Sequence, residues 1–216
     1  CSTYECPSSP MPRTSGQWPT GSIYNTDAID SDGQLVDYVG ISGATLGTAD
    51  SSTGQIPGDC DPVNPYGSVW CGNGMLAPNR TLRFRDAIDG TTNGIVIAEQ
   101  SGQVNGMDIR ANYFGAWTGY YDTGFAEQNE LGGAFQFGAG LTTVRDGYPI
   151  NSSKNSPPGI GADSLYDGNT ILNSFHTGGI FVLLGDGSSR FVSENINFET
   201  LKRLCVRDDG NVVGEW

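Results

Sequence analysis

Residues 174–196, SFHTGGIFVLLGDGSSRFVSENI, decide the fold that this sequence predicts. Every side chain from 180 to 184 is apolar, so both faces of the segment are apolar, which is typical of a central strand covered on both sides. Asp186 and Gly187 predict a type I′ hairpin turn with positive φ at both residues, and residues 190–194 predict the returning strand. The segment therefore predicts a central β-hairpin.

Working outward, three more segments have strand patterns. Residues 36–42 predict the first strand, and residues 81–87 alternate apolar and charged side chains as a half-buried strand does. Residues 94–98 are a continuous apolar run between turn residues, which predicts a strand covered on both faces. Residues 108–138 combine many aromatics with many glycines and predict one or two strands of uncertain position.

One short helix is predicted near the end of the chain. Asn197 is a suitable N-cap, and the apolar residues of the segment 198–204 recur at three-residue spacing. Residues 208–216 predict a turn and a terminal strand. The fold class expected is mainly β, with antiparallel sheets, long glycine-rich loops and one short C-terminal helix.

Composition supports this class and a single domain over residues 1–216. The chain has 32 glycines, only 16% charged residues and 10% aromatics, a pattern of a turn-rich globular domain with few surface helices. Residues 1–33 predict a loop-rich N-terminal arm, and residues 169–216 predict the hairpin, helix and terminal strand. The sequence as given contains no run of 18 apolar residues and does not open on a leader, so we expect no lipid contact from this segment unless an upstream helix exists.

The charge balance restricts the partners. The net charge of −13 repels phosphate, so nucleic acid and anionic membranes are not expected as partners. Divalent cations are the expected ionic partners, and calcium, which prefers oxygen ligands, is the candidate cofactor, although none is required. The candidate calcium ligands lie in two acidic loops and are Asp27, Asp30, Asp32, Asp59 and Asp61.

The five cysteines contain no CxxC pair, which leaves a zinc ribbon or a thioredoxin-type site without support. Cys60 and Cys71 flank a short loop and predict a disulfide. Of the other three, Cys1, Cys6 and Cys205, one thiol is left over, either for a partner outside this chain or as a buried thiol.

His176 is the only histidine, and Asp186 follows it at ten positions. Ten extended residues separate two side chains by about 30 Å, so the pair is not expected to act together in acid–base catalysis or on a metal. Glu99 and Glu194 are carboxylates of the kind that glycosidases use, but no pattern places them together. We expect no enzyme and no catalytic residue.

Several blocks of this sequence resemble the planctomycete-type family of prepilin-like proteins, relatives of the major pseudopilins of type II secretion. Residues 174–196 resemble its H-x9-DG signature, and residues 82–101, LRFRDAIDGTTNGIVIAEQS, resemble its DG-containing strand that ends in Glu. The blocks CPSSP at 6–10, VDYVGISGA at 36–44, NGML at 73–76 and LKRLCVRDDGNVVGEW at 201–216 agree in order. The signature residues are Cys6, Pro7, Asp89, Gly90, Asn93, Glu99, His176, Gly178, Gly179, Asp186 and Gly187.

The resemblance implies a pilin-like globular head whose N-terminal helix is absent from this chain. It implies a secreted structural subunit, located extracellularly or at the cell surface, whose partners are copies of itself in a homopolymeric pilus-like or pseudopilus-like filament. The resemblance also suggests that Cys205 staples the C-terminus to Cys1 or Cys6.

The alternative function is an extracellular carbohydrate-binding or calcium-binding β domain acting as a monomer or as a lipoprotein acylated on Cys1. Surface glycans would stack on aromatic side chains such as Trp18, Trp70 and Trp117. Asn79 and Asn151 stand in N-x-S/T tripeptides and are candidate glycosylation sites.

Overall fold

A computed structural model describes residues 2–11, 36–47, 59–60, 69–77, 80–101, 103–104, 107–108, 140–152, 169, 171–211 and 213–216. Within these residues the fold is mainly β, with seven strands and one short α-helix, which confirms the predicted class.

The main sheet has five strands in the order β5-β1-β2-β6-β7. Its strands are β1 Tyr38–Ala44, β2 Ile95–Glu99, β5 Leu141–Val144, β6 Gly179–Leu184 and β7 Ser189–Ser193. All pairs are antiparallel except β1 with β5, so the sheet is mixed. Strands β3 Gln103–Val104 and β4 Met107–Asp108 form a separate two-stranded sheet.

Helix α1, Phe198–Leu204, packs its apolar face on the main sheet. Its N-cap Asn197 accepts the backbone N–H of Thr200, as the sequence predicts. Leu201 and Leu204 are fully buried in one cluster with side chains of all five strands. This packing covers one face of the sheet and leaves the second face to other contacts. In the described part of the chain, no helix has the length and apolar character that a bilayer crossing requires.

The β6–β7 hairpin is present, but its turn is not of type I′. The N–H of Gly187 donates to the carbonyl of Leu184 at 3.0 Å, and the N–H of Leu184 donates to Ser188. Gly187 has φ of +86°, whereas Asp186 is not among the residues with positive φ. Four residues, 185–188, therefore join the strands through a turn followed by a left-handed glycine, because Asp186 instead accepts the N–H of Ser188 through its side chain.

The predicted strand over residues 81–87 is wrong. Residues Phe84–Asp86 form a 3₁₀ helix, and the side chain of Phe84 is 75% exposed. The carboxylate of Asp86 accepts the backbone N–H of Arg83 at 2.7 Å. This local side-chain bond closes a turn and overrides the alternating pattern.

The sequence also predicts that both faces of β2 and of β6 are covered, and this prediction is only partly correct. Phe181 in β6 is 43% exposed, and Val96 and Ile97 in β2 are half-buried, because the helix covers one face alone. No strand forms within residues 208–211 and 213–216 either. The carboxylate of Asp89 accepts the backbone N–H groups of Asp209 and Gly210 instead, which fixes this segment as a loop.

Candidate Cys-Glu-His site

Cys6, Glu99 and His176 meet at one end of the main sheet. Cys6 lies in the N-terminal segment, Glu99 is the last residue of β2, and His176 lies in the turn before β6. Cys6 Sγ is 3.2 Å from Glu99 Oε1 and 3.4 Å from His176 Nε2, and Nε2 is 3.3 Å from Oε1. A sulfur, an oxygen and a nitrogen thus form a nearly equilateral triangle.

Further hydrogen bonds hold each of these three residues in place. The second oxygen of Glu99, Oε2, accepts the backbone N–H of Phe181 at 2.8 Å. The backbone N–H of Cys6 donates to Asp37 Oδ2 at 2.8 Å. His176 has Ser8 Oγ at 3.3 Å from Nδ1, and its ring packs edge-on against Phe181 at 5.1 Å between centroids. The site is therefore built on the sheet as well as on loops.

The environment of the site is buried and acidic. Cys6 and Glu99 are buried, whereas the His176 side chain is 28% exposed and connects the cluster with the surface. Burial raises the pKa of Cys6, and the nearby Glu99 carboxylate raises it further. Burial also raises the pKa of Asp37, to which the charges of Glu5 and Glu99 add. Among the described residues, His176 is the only basic side chain within ion-pair distance of Glu99.

This geometry does not suit a cysteine nucleophile. In a catalytic triad the acid and the nucleophile contact opposite nitrogens of the imidazole, whereas here both Cys6 and Glu99 contact Nε2. An activated thiol also needs a lowered pKa, and the pKa of Cys6 is raised. Three ligand-type atoms within 4.8 Å of one another could instead hold a metal ion.

Asp186 does not take part in this cluster. His176 precedes β6 and Asp186 follows it, so the six residues of β6 lie between them, consistent with the separation expected from the sequence. Asp186 Oδ1 accepts both the N–H and the hydroxyl of Ser188. The hydrogen bond from the Ser188 hydroxyl has the larger effect and the bond from its N–H the smaller, and both lower the pKa of the exposed Asp186 carboxyl. Asp186 therefore stabilises the hairpin turn.

Other signature residues lie at turns. Gly90 has φ of +93°, and its carbonyl accepts the N–H of Asn93 at 3.4 Å. Pro7 follows Cys6 in an exposed turn. Gly178 has φ of +86°, and Gly179 lies against the β7 backbone. Asp89, which precedes Gly90, accepts the backbone N–H of Asp209 and so connects the Gly90 turn to the C-terminal loop.

The predicted calcium ligands are only partly within the described residues. Asp27, Asp30, Asp32 and Asp61 lie outside them. Asp59 is described and pairs with Arg80 through both carboxylate oxygens. The calcium prediction therefore stays a prediction.

The same holds for sugar attachment and sugar binding. Asn79, Trp18 and Trp117 lie outside the described residues, and the side chain of Asn151 is bonded to Glu194 and to the N–H of Ser174. Trp70 is buried, so it does not present a face for stacking on a sugar ring. Glu194 pairs with Asn151, whereas Glu99 belongs to the cluster with Cys6 and His176.

The structure contains the predicted disulfide between Cys60 and Cys71. The suggested staple between Cys205 and Cys6 is wrong, because both are buried thiols outside any disulfide. Cys205 is part of the main core, where burial raises its pKa to about 12. Cys6 is instead held beside Glu99. Cys1 lies outside the described residues.

Sequence reasoning missed the cluster because it tested His176 against Asp186, its neighbour in the signature. Cys6 and Glu99 are 170 and 77 residues away from His176 along the chain. A signal did exist: each of the three residues stands in a different block that carries the family resemblance. Cysteine, glutamate and histidine are residue types that bind metal ions together, and here they come from blocks that lie far apart in the sequence.

Comparison with known protein families gives a match over most of the chain. A family model described as "Protein of unknown function (DUF1559)" matches residues 1–199. No curated protein and no solved structure matches the chain.

Proposed function

The chain belongs to the family described as a protein of unknown function, DUF1559, and from this premise we propose that it is a secreted structural subunit that self-assembles into a pilus-like or pseudopilus-like extracellular filament. The proposal assigns no catalytic activity. It places the protein outside the cell or at the cell surface, with copies of itself as its partners.

The sequence blocks support the proposal first. The family resemblance spans Cys6 to Glu215, and it joins the H-x9-DG hairpin to the DG-containing strand. In the structure these two segments are neighbours, since β2 and β6 pair in the main sheet. Two of the blocks on which the proposal depends are therefore adjacent in the sheet.

The observation that carries the proposal is an exposed apolar pair. Phe84 and Ile88 are 75% and 74% exposed, although their sequence context is that of a half-buried segment. Large apolar side chains that are exposed to water only four positions apart in the chain favour a contact with another protein surface. We assign that surface to a second copy of the chain.

A sheet edge offers the complementary contact. Within the described residues β7 pairs with β6 alone and lies at the edge of the sheet. Only Val192 of β7 is buried, and the exposed Phe191 stacks edge-on with Phe181 at 5.2 Å. A contact between two different surfaces of identical subunits generates a ring if its rotation closes and an open filament if it does not, and our proposal is the open form.

Electron microscopy of native material, with antibody labelling of this chain, tests the proposal. We expect labelled filaments, and dispersed monomers at high concentration would contradict them. In the recombinant chain, sedimentation over a concentration series should show assembly that the double variant Phe84→Ser, Ile88→Ser reduces at least about tenfold. Arg85→Ser is the matched control, because it alters the same exposed turn without removing apolar surface.

A further inference from the structure

We propose that Cys6, Glu99 and His176 form a three-ligand site for a divalent transition metal, with Zn²⁺ as the best-matched ion. The proposal is independent of filament assembly, since neither Phe84 nor Ile88 belongs to the site. It assigns to the three residues a shared role that the family description does not contain.

The size of the triangle fits a bound zinc ion. Bonds of about 2.3 Å to sulfur and 2.0–2.2 Å to nitrogen and oxygen give ligand separations of about 3.3–3.6 Å in a tetrahedron. The observed separations are 3.2, 3.3 and 3.4 Å. An ion equidistant from three atoms so placed lies at least about 1.9 Å from each, so bond lengths are reached with little movement of the side chains.

The donor types select the metal. One thiolate, one imidazole nitrogen and one carboxylate oxygen are the ligands that zinc takes in proteins, and three of them leave a fourth position for water. Calcium and magnesium prefer oxygen ligands only, so this site differs in kind from the acidic loops expected to hold calcium. The soft sulfur ligand favours zinc or another late transition metal over manganese.

The electrostatics favour a cation at the same point. The buried carboxylate of Glu99 has His176 as its only basic partner among the described residues, and a second buried carboxylate, Asp37, binds the backbone of Cys6. Negative charge held away from water is costly unless a cation compensates it. A metal ion also stabilises the thiolate form of a cysteine directly.

The surrounding bonds orient each ligand toward the shared point. Glu99 uses Oε2 for the N–H of Phe181 and therefore turns Oε1 toward Cys6 and His176. Ser8 Oγ lies 3.3 Å from His176 Nδ1 and 3.5 Å from Nε2, and in the tautomer with the proton on Nδ1 the hydroxyl can accept that N–H and leave the lone pair of Nε2 for the metal. Such outer contacts are a regular feature of protein metal sites.

The metal would join the N-terminal segment to the sheet. Cys6 belongs to residues 2–11, whereas Glu99 and His176 belong to β2 and to the turn before β6. Binding an ion to the folded arrangement alone raises stability in proportion to the logarithm of its concentration. Zinc should therefore raise the melting temperature of the full chain.

The same three atoms are also close enough to form a network of hydrogen bonds without a metal. Metal titration distinguishes a metal site from such a network. Reduced, chelator-treated full-length protein is titrated with Zn²⁺ by calorimetry and with Co²⁺ by absorption spectroscopy. We expect one ion per chain and a thiolate-to-cobalt charge-transfer band. Cys6→Ser and His176→Gln should each weaken binding at least about 100-fold, and Glu99→Gln at least about tenfold.

Two control variants change residues that lie outside the proposed metal site. Cys205→Ala removes the other buried thiol, and Glu215→Gln removes an exposed acid outside the cluster. Both should bind the metal as the natural chain does. Binding that is equal in Cys6→Ser, His176→Gln and the controls would overturn the proposal, as would reduced natural protein that binds no zinc.

A measurement on the natural chain covers the case in which a ligand variant does not fold. Alkylation followed by peptide mass mapping reports Cys6 and Cys205 separately. Zinc should slow alkylation of Cys6 at least about tenfold and leave Cys205 unchanged. Equal protection of both thiols, or of neither, would contradict the site.

Discussion

Glu99 joins strands β2 and β6 through its side chain, because Oε2 accepts the backbone N–H of Phe181 at 2.8 Å. The β2–β6 register continues up to Ala98 and Val182, and the carboxylate supplies an acceptor just beyond that last pair. A buried carboxylate at the end of a strand therefore satisfies a backbone donor. Its other oxygen faces Cys6 and His176, so a single side chain serves both the sheet and the site.

Removing this acceptor should destabilise the fold. Glu99→Ala leaves a buried N–H without its partner and should lower the free energy of unfolding by about 1–3 kcal/mol. Glu99→Gln retains an acceptor oxygen and should lose less. The measurement is urea unfolding with a metal chelator present, so that metal binding does not contribute. Glu215→Ala, at an exposed acid, is the control and should change stability by less than about 0.5 kcal/mol.

The two neighbouring glycines of the signature should respond differently to alanine. A Cβ at Gly179 would lie 2.0 Å from the carbonyl oxygen of Val192, so Gly179→Ala must push β7 away from β6 and should cost about 3 kcal/mol. Gly178 has open space but φ of +86°, so Gly178→Ala should cost only about 1 kcal/mol.

Thermal and urea unfolding of both glycine variants measure this difference. Gly214→Ala, where a Cβ meets nothing within 4 Å and φ is not positive, is the neutral control. Equal losses at Gly178 and Gly179 would show that β7 does not approach β6 as closely as the structure has it.

The Lys202 ammonium should make stability depend on pH in the alkaline range. Its side chain is 3% exposed, and Nζ lies 2.6 Å from Asp146 Oδ1 and 2.8 Å from Glu199 Oε1. Burial alone would lower the pKa of Lys202, but the hydrogen bonds and charges of the two carboxylates outweigh it and raise the pKa. The stabilisation is then fully present below the unfolded pKa of about 10.4 and is lost as pH rises through the higher folded pKa.

Unfolding of the natural chain and of Lys202→Met over the alkaline range measures this contribution. The stability difference between them should shrink as pH rises, and a constant difference would contradict the assignment. Near neutral pH, Asp146→Asn should cost about 1 kcal/mol, because the more exposed Glu199 still holds the ammonium.

The disulfide should contribute a further part of the stability. Cys60 and Cys71 are 11 residues apart and both buried, and closing a loop of this size stabilises a fold by about 3 kcal/mol on the chain-entropy model. The double variant Cys60→Ala, Cys71→Ala should lose about that amount in urea unfolding. A reducing agent should lower the stability of the natural chain and leave the double variant unchanged; an equal effect on both would assign the loss to another process.

Elements that depend on neighbouring residues could be predicted. The run of apolar residues in β6 and the turn residues after it predict the hairpin, and the Asn197 cap predicts α1 at the bounds that the structure has. The predictions for residues 81–87 and for the β6–β7 turn type were wrong because a local side-chain hydrogen bond set the backbone conformation. Asp86 closed a turn where Phe84 suggested a strand, and Asp186 accepted the N–H of Ser188 where a type I′ turn was expected.

The sequence by itself determined the mainly β class, the β6–β7 hairpin, the short helix and the Cys60–Cys71 disulfide, because spacing and turn chemistry act over a few residues; the hairpin lies at the edge of the sheet and not at its centre. Only the tertiary structure decided that Cys6, Glu99 and His176 meet. Glu99 and Cys6 are separated by 93 residues, and His176 and Cys6 by 170. Their contact depends on the pairing of β2 with β6 and on the bond between Cys6 and Asp37, and no local pattern contains either.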